Sequence, residues 1–151
     1  MILGLKLGRR LMAACALDDE RFTFHDSRFV TLRKVTPVPG LTRYFQQLIT
    51  QVKPVAIYYY APTGQQTLTE DLVKLLITTA GEMGIPAKPL SKSDVFGSFG
   101  VLPLLTRREL REHLQHLWPV LSQGKMHRQV ALAEAAAAAM VGDLRQAWPP
   151  L

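Results

Sequence analysis

Met1-Ile2-Leu3-Gly4-Leu5-Lys6-Leu7-Gly8-Arg9-Arg10-Leu11-Met12-Ala13-Ala14-Cys15-Ala16-Leu17 opens the chain with two apolar runs around a short basic turn. The first run is interrupted only by Gly4 and Lys6. It is too short for a helix and apolar on both faces, so it predicts a central strand covered on both sides. Gly8-Arg9-Arg10 predicts a chain reversal, and Leu11 to Leu17 returns beside the first strand. Lys6 is the anomaly in this stretch. A buried ammonium without a partner is costly, so Lys6 must find a carboxylate, reach solvent at the sheet's end, or shed its proton.

Working outward, Asp18-Asp19-Glu20 predicts a solvated turn, and an extended segment follows between Arg21 and Val35. After Pro37 and Pro39-Gly40, the residues Leu41, Tyr44, Phe45, Leu48, Ile49 and Val52 recur at helical steps and mark a buried stripe. Lys53-Pro54 stops that helix. Val55 to Tyr60 predicts a second strand buried on both faces. Thr67 and Glu70 have capping-box spacing for a helix ending at Gly84. Ile85 to Leu90 predicts a short strand, and Ser91 to Pro103 a loop holding Lys92, Phe96 and Phe99. Thr106-Arg-Arg-Glu109 repeats the capping-box spacing and opens a helix closed by Pro119. An Ala-rich helix spans Gln129 to Ala147. This order predicts an α/β fold with a mixed sheet and helices on both faces.

At 151 residues, with 48% apolar and 20% charged content, the chain is expected to fold as one globular domain over residues 1 to 151. Cys15 is the only cysteine, so neither an internal disulfide framework nor a thiolate zinc site is expected, and a cytoplasmic setting fits. The first apolar segment carries too many charges for a leader or a membrane span. The net charge of +6 is uneven: residues 1 to 60 hold nine Lys/Arg against four Asp/Glu, and residues 61 to 151 hold nine against eight. A basic half on a nearly neutral body suits a polyanionic partner.

The spelling Ile2-Leu3-Gly4-Leu5-Lys6-Leu7-Gly8-x-Arg10 resembles the RuvC family of Holliday-junction resolvases, which belong to the RNase H-like nucleases. Three further patches carry the resemblance: Ala56-Ile57, Thr106 to Leu110, and Gln129 to Ala135. It implies an RNase H-like five-stranded mixed sheet, with an antiparallel hairpin start and then parallel strands, and action as a homodimer. It also implies four metal-binding acids. Laid on that pattern, Lys6, Tyr58 and Ala131 replace three of them, and Glu134 alone is retained. Cleavage in the family relies on two divalent metals shared by carboxylates, so this donor set implies a degenerate catalytic site with no metal cofactor. Asp18 and Asp19 cannot substitute, because strand geometry puts them about 16 Å from Lys6.

Two readings of Lys6 follow: its ammonium stands in the vacated metal position and pairs with Glu134, or it reaches solvent unpaired. Lys6, Arg9, Arg10, Lys92, Arg107 and Arg108 are the candidate nucleic-acid-binding residues, the last two at a helix start that favours phosphate. Tyr58, Tyr59 and Tyr60 alternate faces; burial with a bonded hydroxyl is the ordinary outcome, and stacking on bases the alternative. Glu109, His113 and His116 share a helix face and are weighed as a metal site against a plain solvated helix. The expected function is nucleic-acid binding, with structured or branched DNA favoured, without metal-dependent cleavage and without a membrane. The alternatives are an active endonuclease with relocated ligands, which alone would need Mg²⁺, and a non-enzymatic assembly or partner-binding subunit.

Overall fold

The computed structural model describes residues 1–8, 11–19, 21–29, 38–62, 66–100 and 102–147, with backbone alone at 29, 38, 39 and 66–68. Arg9, Arg10 and the part of the expected extended segment beyond Phe29 lie outside the described residues.

Strand β1 (Ile2–Leu7) is the middle of a five-stranded sheet ordered β3-β2-β1-β4-β5. Antiparallel β2 (Leu11–Asp18) follows it in the expected hairpin, with Lys6 opposite Ala13. β3 (Arg21–Phe29) adds a second antiparallel pairing, while β4 (Ala56–Tyr60) and β5 (Ala87–Leu90) run parallel to β1. Alternate residues of β1 and β2 enter two separate cores, as the period of two requires. Leu3, Leu5, Leu7, Met12 and Ala14 face helices α1 (Val38–Val52) and α2 (Gln66–Glu82). Ile2, Ala13, Cys15, Tyr58 and Tyr60 face the other way, toward α3 (Lys92–Phe96), α4 (Arg107–Leu117) and α5 (Met126–Ala147).

Helix α5 lies directly on the central strands because both surfaces are small. Ala131 to Ala139 are buried, and Gly4 gives the helix backbone room to touch β1. A Cβ at Gly4 would stand 2.8 Å from the Ala139 Cα and nearer still to the Ala135 carbonyl oxygen and Ala139 amide nitrogen. Close contact here fixes which α5 residues reach the end of β1.

The structure corrects several boundaries. Ser91 to Pro103 is not wholly a loop: Ser91 and Asp94 form a reciprocal capping box that starts α3. Helix α2 begins at Gln66, so Thr67 lies inside its first turn rather than before it. β5 is limited to Ala87–Leu90, and Ile85 and Pro86 precede it. The Thr106–Glu109 capping box is present as expected, and Trp118 ends α4 before a 3-10 turn at Pro119–Ser122. α5 starts at Met126, one turn before Gln129.

Candidate functional site

The carboxyl ends of β1 and β4 bring Lys6 and Tyr60 side by side, and α5 lays Glu134 over them. Glu134 is 1% exposed and the Lys6 side chain 12% exposed, and the Lys6 Nζ contacts Glu134 Oε2 as an ion pair. Arg107, the first residue of α4, places its Nε 3.5 Å from Glu134 Oε1 while its side chain stays 64% exposed. Neither carboxylate oxygen has a hydrogen bond of good geometry among the described residues, although both lie within ion-pair distance of a cation. Coulombic contact with the two cations is therefore what offsets the carboxylate's burial. Such an arrangement adds little over an apolar isostere, but removing one partner leaves a stranded charge. Of the two readings of Lys6, the structure has the paired one.

Tyr60 completes this cluster. Its burial, and then the neighbouring Glu134 charge, push the phenol above its usual value, with Arg107 offsetting part of the effect. The ring stays neutral and packs edge-on to Phe96 at 6.0 Å. Tyr58 shares that sheet face two residues deeper along β4, opposite Gly4. Its hydroxyl accepts a hydrogen bond from Gln146 Nε2 at 2.8 Å, and its ring lies against Gly142 near the far end of α5. Tyr60 rather than Tyr58 is thus the tyrosine beside Lys6 and Glu134. Tyr58 and Tyr60 are both buried, so neither presents an open ring to a base.

Two hollows flank the cluster and share Arg107. One, of about 400 Å³, is lined by Lys6, Gly8, Leu11, His127 and Ala131. The other, of about 660 Å³, is lined by Tyr60, Leu90, Lys92, Phe96 and Leu104 among others. Lys92 and Arg107 therefore face one crevice, whereas Lys6 and Ala131 open into its neighbour. Arg108 turns aside: its Nε donates to Glu112 Oε1 at 3.0 Å on the outer face of α4. The sequence did not single out His127 or Leu104, whose places depend on how α5 and the 102–106 segment pack.

Glu109 is committed to its helix cap, accepting the Thr106 N–H at 3.0 Å, and these bonds lower its pKa. The His113 ring lies 5.0 Å from Phe99. Among the described residues no group of three His, Cys, Asp or Glu side chains could hold a metal ion, so the Glu109–His113–His116 face does not gather as one. Nor do the residues at Glu134 fit the divalent metals that the RuvC resemblance implies. One carboxylate with an ammonium against it and a phenol beside it offers a cation repulsion and too few oxygen donors. Cys15 is a structural residue: its thiol faces the Leu132 carbonyl at 3.5 Å, and burial pushes its pKa well up. Among the described residues, no helix is long and apolar enough to cross a membrane.

No protein-family model and no curated protein matches the chain. Solved structures do. The chain is similar to Thermus thermophilus RuvC in complex with a Holliday junction substrate, with a TM-score of 0.73 and 14% identity over 98% of this chain and 95% of that one. A second Thermus thermophilus RuvC structure gives 0.74 at 12% identity, covering 97% of this chain and 95% of that one. The yeast mitochondrial Holliday junction resolvase Ydc2 gives 0.63 at 16%, covering 97% of this chain and 78% of that one. The strand order, the antiparallel start followed by parallel strands, and these likenesses agree, and the chain has a RuvC-like RNase H-like fold.

Proposed function

We propose that this RuvC-like domain binds nucleic acid, with structured or branched DNA favoured, and does not cleave it by metal-dependent chemistry. The observation that carries the reading is the Lys6–Glu134–Arg107 cluster, in which an ammonium takes the place a divalent cation would need. With Lys6 held against the carboxylate, Lys92 and the solvent-facing side of Arg107 are left to serve phosphate. Arg107 and Lys92 reach solvent at the crevice rim, Arg108 next to Arg107 is paired with Glu112 on the outer face of α4, and Arg9 and Arg10 fall between β1 and β2 in the sequence. The overall charge of +6 favours the same partner. A RuvC of the same fold has been captured with a Holliday junction substrate. The RuvC resemblance adds a homodimer, in which two such rims would meet a branched substrate.

Gel shifts with a four-way junction, a duplex and a single strand, repeated over a salt series, test the reading. Binding through phosphates must weaken steeply as salt rises, because each neutralised phosphate releases counterions. Lys92→Ala and Arg107→Ala should each flatten the salt dependence by about one phosphate contact. Absence of any shift at low salt would favour an assembly subunit whose basic half only solubilises it.

A further inference from the structure

The connections leaving the carboxyl ends of the neighbouring strands β4 and β5 go to opposite faces of the sheet. From β4 the chain passes into α2, which packs with α1 on one face, and from β5 into α3, which packs with α5 on the other. In open α/β sheets, a crevice forms outside the carboxyl ends of the strands at such a switch, and ligands bind there. The 660 Å³ hollow stands at this place, with Tyr60 and Leu90 at the ends of the two strands. Its volume is in the range that takes small organic ligands.

The lining divides by chemistry. Tyr60, Leu90 and Phe96 are buried behind the hollow, Leu104 is the apolar side chain that opens into it, and Lys92 and Arg107 supply two cations on the rim. Leu104 is 38% exposed, and Leu102, two residues before it, is exposed as well. Arg107 is held only at 3.5 Å by Glu134, so its guanidinium can turn its remaining N–H groups to another anion. The Ser91 and Thr106 hydroxyls at the same edge accept capping bonds from the Asp94 and Glu109 N–H groups, which leaves their O–H groups to donate to an anion held by the two cations. A flat apolar body carrying one anionic group at its edge matches this division.

We propose that the crevice seats one unpaired nucleotide, its base over the exposed Leu104 side chain and its phosphate between Lys92 and Arg107. The inference rests on the nucleic-acid reading above and adds the unit recognised. A base can enter only from a single strand or after leaving its stack, so branched or frayed DNA should bind better than continuous duplex.

The test uses the full chain and an oligonucleotide duplex with a short overhang carrying 2-aminopurine at one unpaired position. An otherwise identical oligonucleotide carries an abasic site there. The fluorescence should change saturably on binding, and the abasic form should bind about tenfold more weakly, the effect of one stacked base. Leu104→Ala, which removes the exposed apolar contact, should narrow the gap between intact and abasic forms, and circular dichroism checks that this variant folds. Lys92→Ala, at an exposed position with no packing change, should weaken the intact and abasic forms alike, because the abasic nucleotide keeps its phosphate. If adenosine 5′-monophosphate displaces the fluorescent base, the isolated nucleotide suffices; if it does not while the abasic loss persists, the strand is the ligand, and both results uphold the crevice. Equal affinity for intact and abasic forms overturns the proposal, and salt-dependent junction binding in the same preparation would leave the wider reading standing. No binding of any oligonucleotide or of the monophosphate would overturn both.

Discussion

Lys6 at the end of β1 and Glu134 on α5 close an ion pair across the sheet–helix interface, the carboxylate 1% exposed. Coming from opposite ends of the chain, they lock α5 to the central strand at the point where the sheet opens to solvent. Lys6→Met keeps the aliphatic stem but strands Glu134 with only the more distant Arg107. The expected loss is about 3 kcal/mol in urea unfolding, toward the lower end for a broken buried pair because one cation remains. Adding Glu134→Gln should return most of that loss, since the stranded charge is then gone. A single variant as stable as the parent would show that the pair contributes nothing.

Gly4 makes that pairing possible by letting the α5 backbone rest on β1. Gly4→Ala forces a methyl against the Ala135 carbonyl and Ala139 backbone atoms, none of which is a flexible side-chain end. The helix must lift, and a loss of about 3 kcal/mol or more is expected, at the upper end for overpacking. The thermal midpoint checks this, with Gly40→Ala as control because nothing lies within 4 Å of a Cβ there.

Acid should weaken the fold in two stages. His25 has its pKa lowered from 6.5, first by burial and then by Arg128, with Asp26 opposing. The unfolded chain therefore takes up that proton more readily, and stability falls as pH drops below about 6.5 toward the lower folded value. Asp94 follows at lower pH. Burial raises its pKa, but hydrogen bonds from Ser91 and the Arg145 charge outweigh it and hold the carboxyl below 3.8. Its contribution is present above 3.8 and is lost as pH falls through the folded value. Urea midpoints measured against pH should lose the first stage in His25→Gln and the second in Asp94→Asn. An unchanged profile in either variant would remove that residue from the explanation.

The residues that declared themselves in the sequence are those whose pattern is local. The β1–β2 hairpin follows from two apolar runs around a glycine-arginine turn, and α4 from the Thr106–Glu109 spacing. Helix α3 was hidden because five residues are too few to show helical periodicity, and its cap uses Asp94 where the usual pattern has Glu or Gln. The site was half legible. Lys6 stood out as a charge inside an apolar strand, but its partner Glu134 came only through the RuvC resemblance. Tyr60 was masked by Tyr58, because matching the Ala56-Ile57 dipeptide fixes a local position, whereas the neighbour of Lys6 is set by the register between β1 and β4. Lys92 and Arg107 face one crevice only because the chain leaves β5 for the face opposite the one it takes after β4.

Incubating a labelled four-way junction with the chain in Mg²⁺ and in Mn²⁺, then resolving the strands on a denaturing gel, tests most directly whether the Lys6 ammonium has closed the cation site. The expected result is a junction bound in a parallel native gel and strands that remain full length in either metal. Metal-dependent shortening of the strands that disappears in Glu134→Gln would contradict the account.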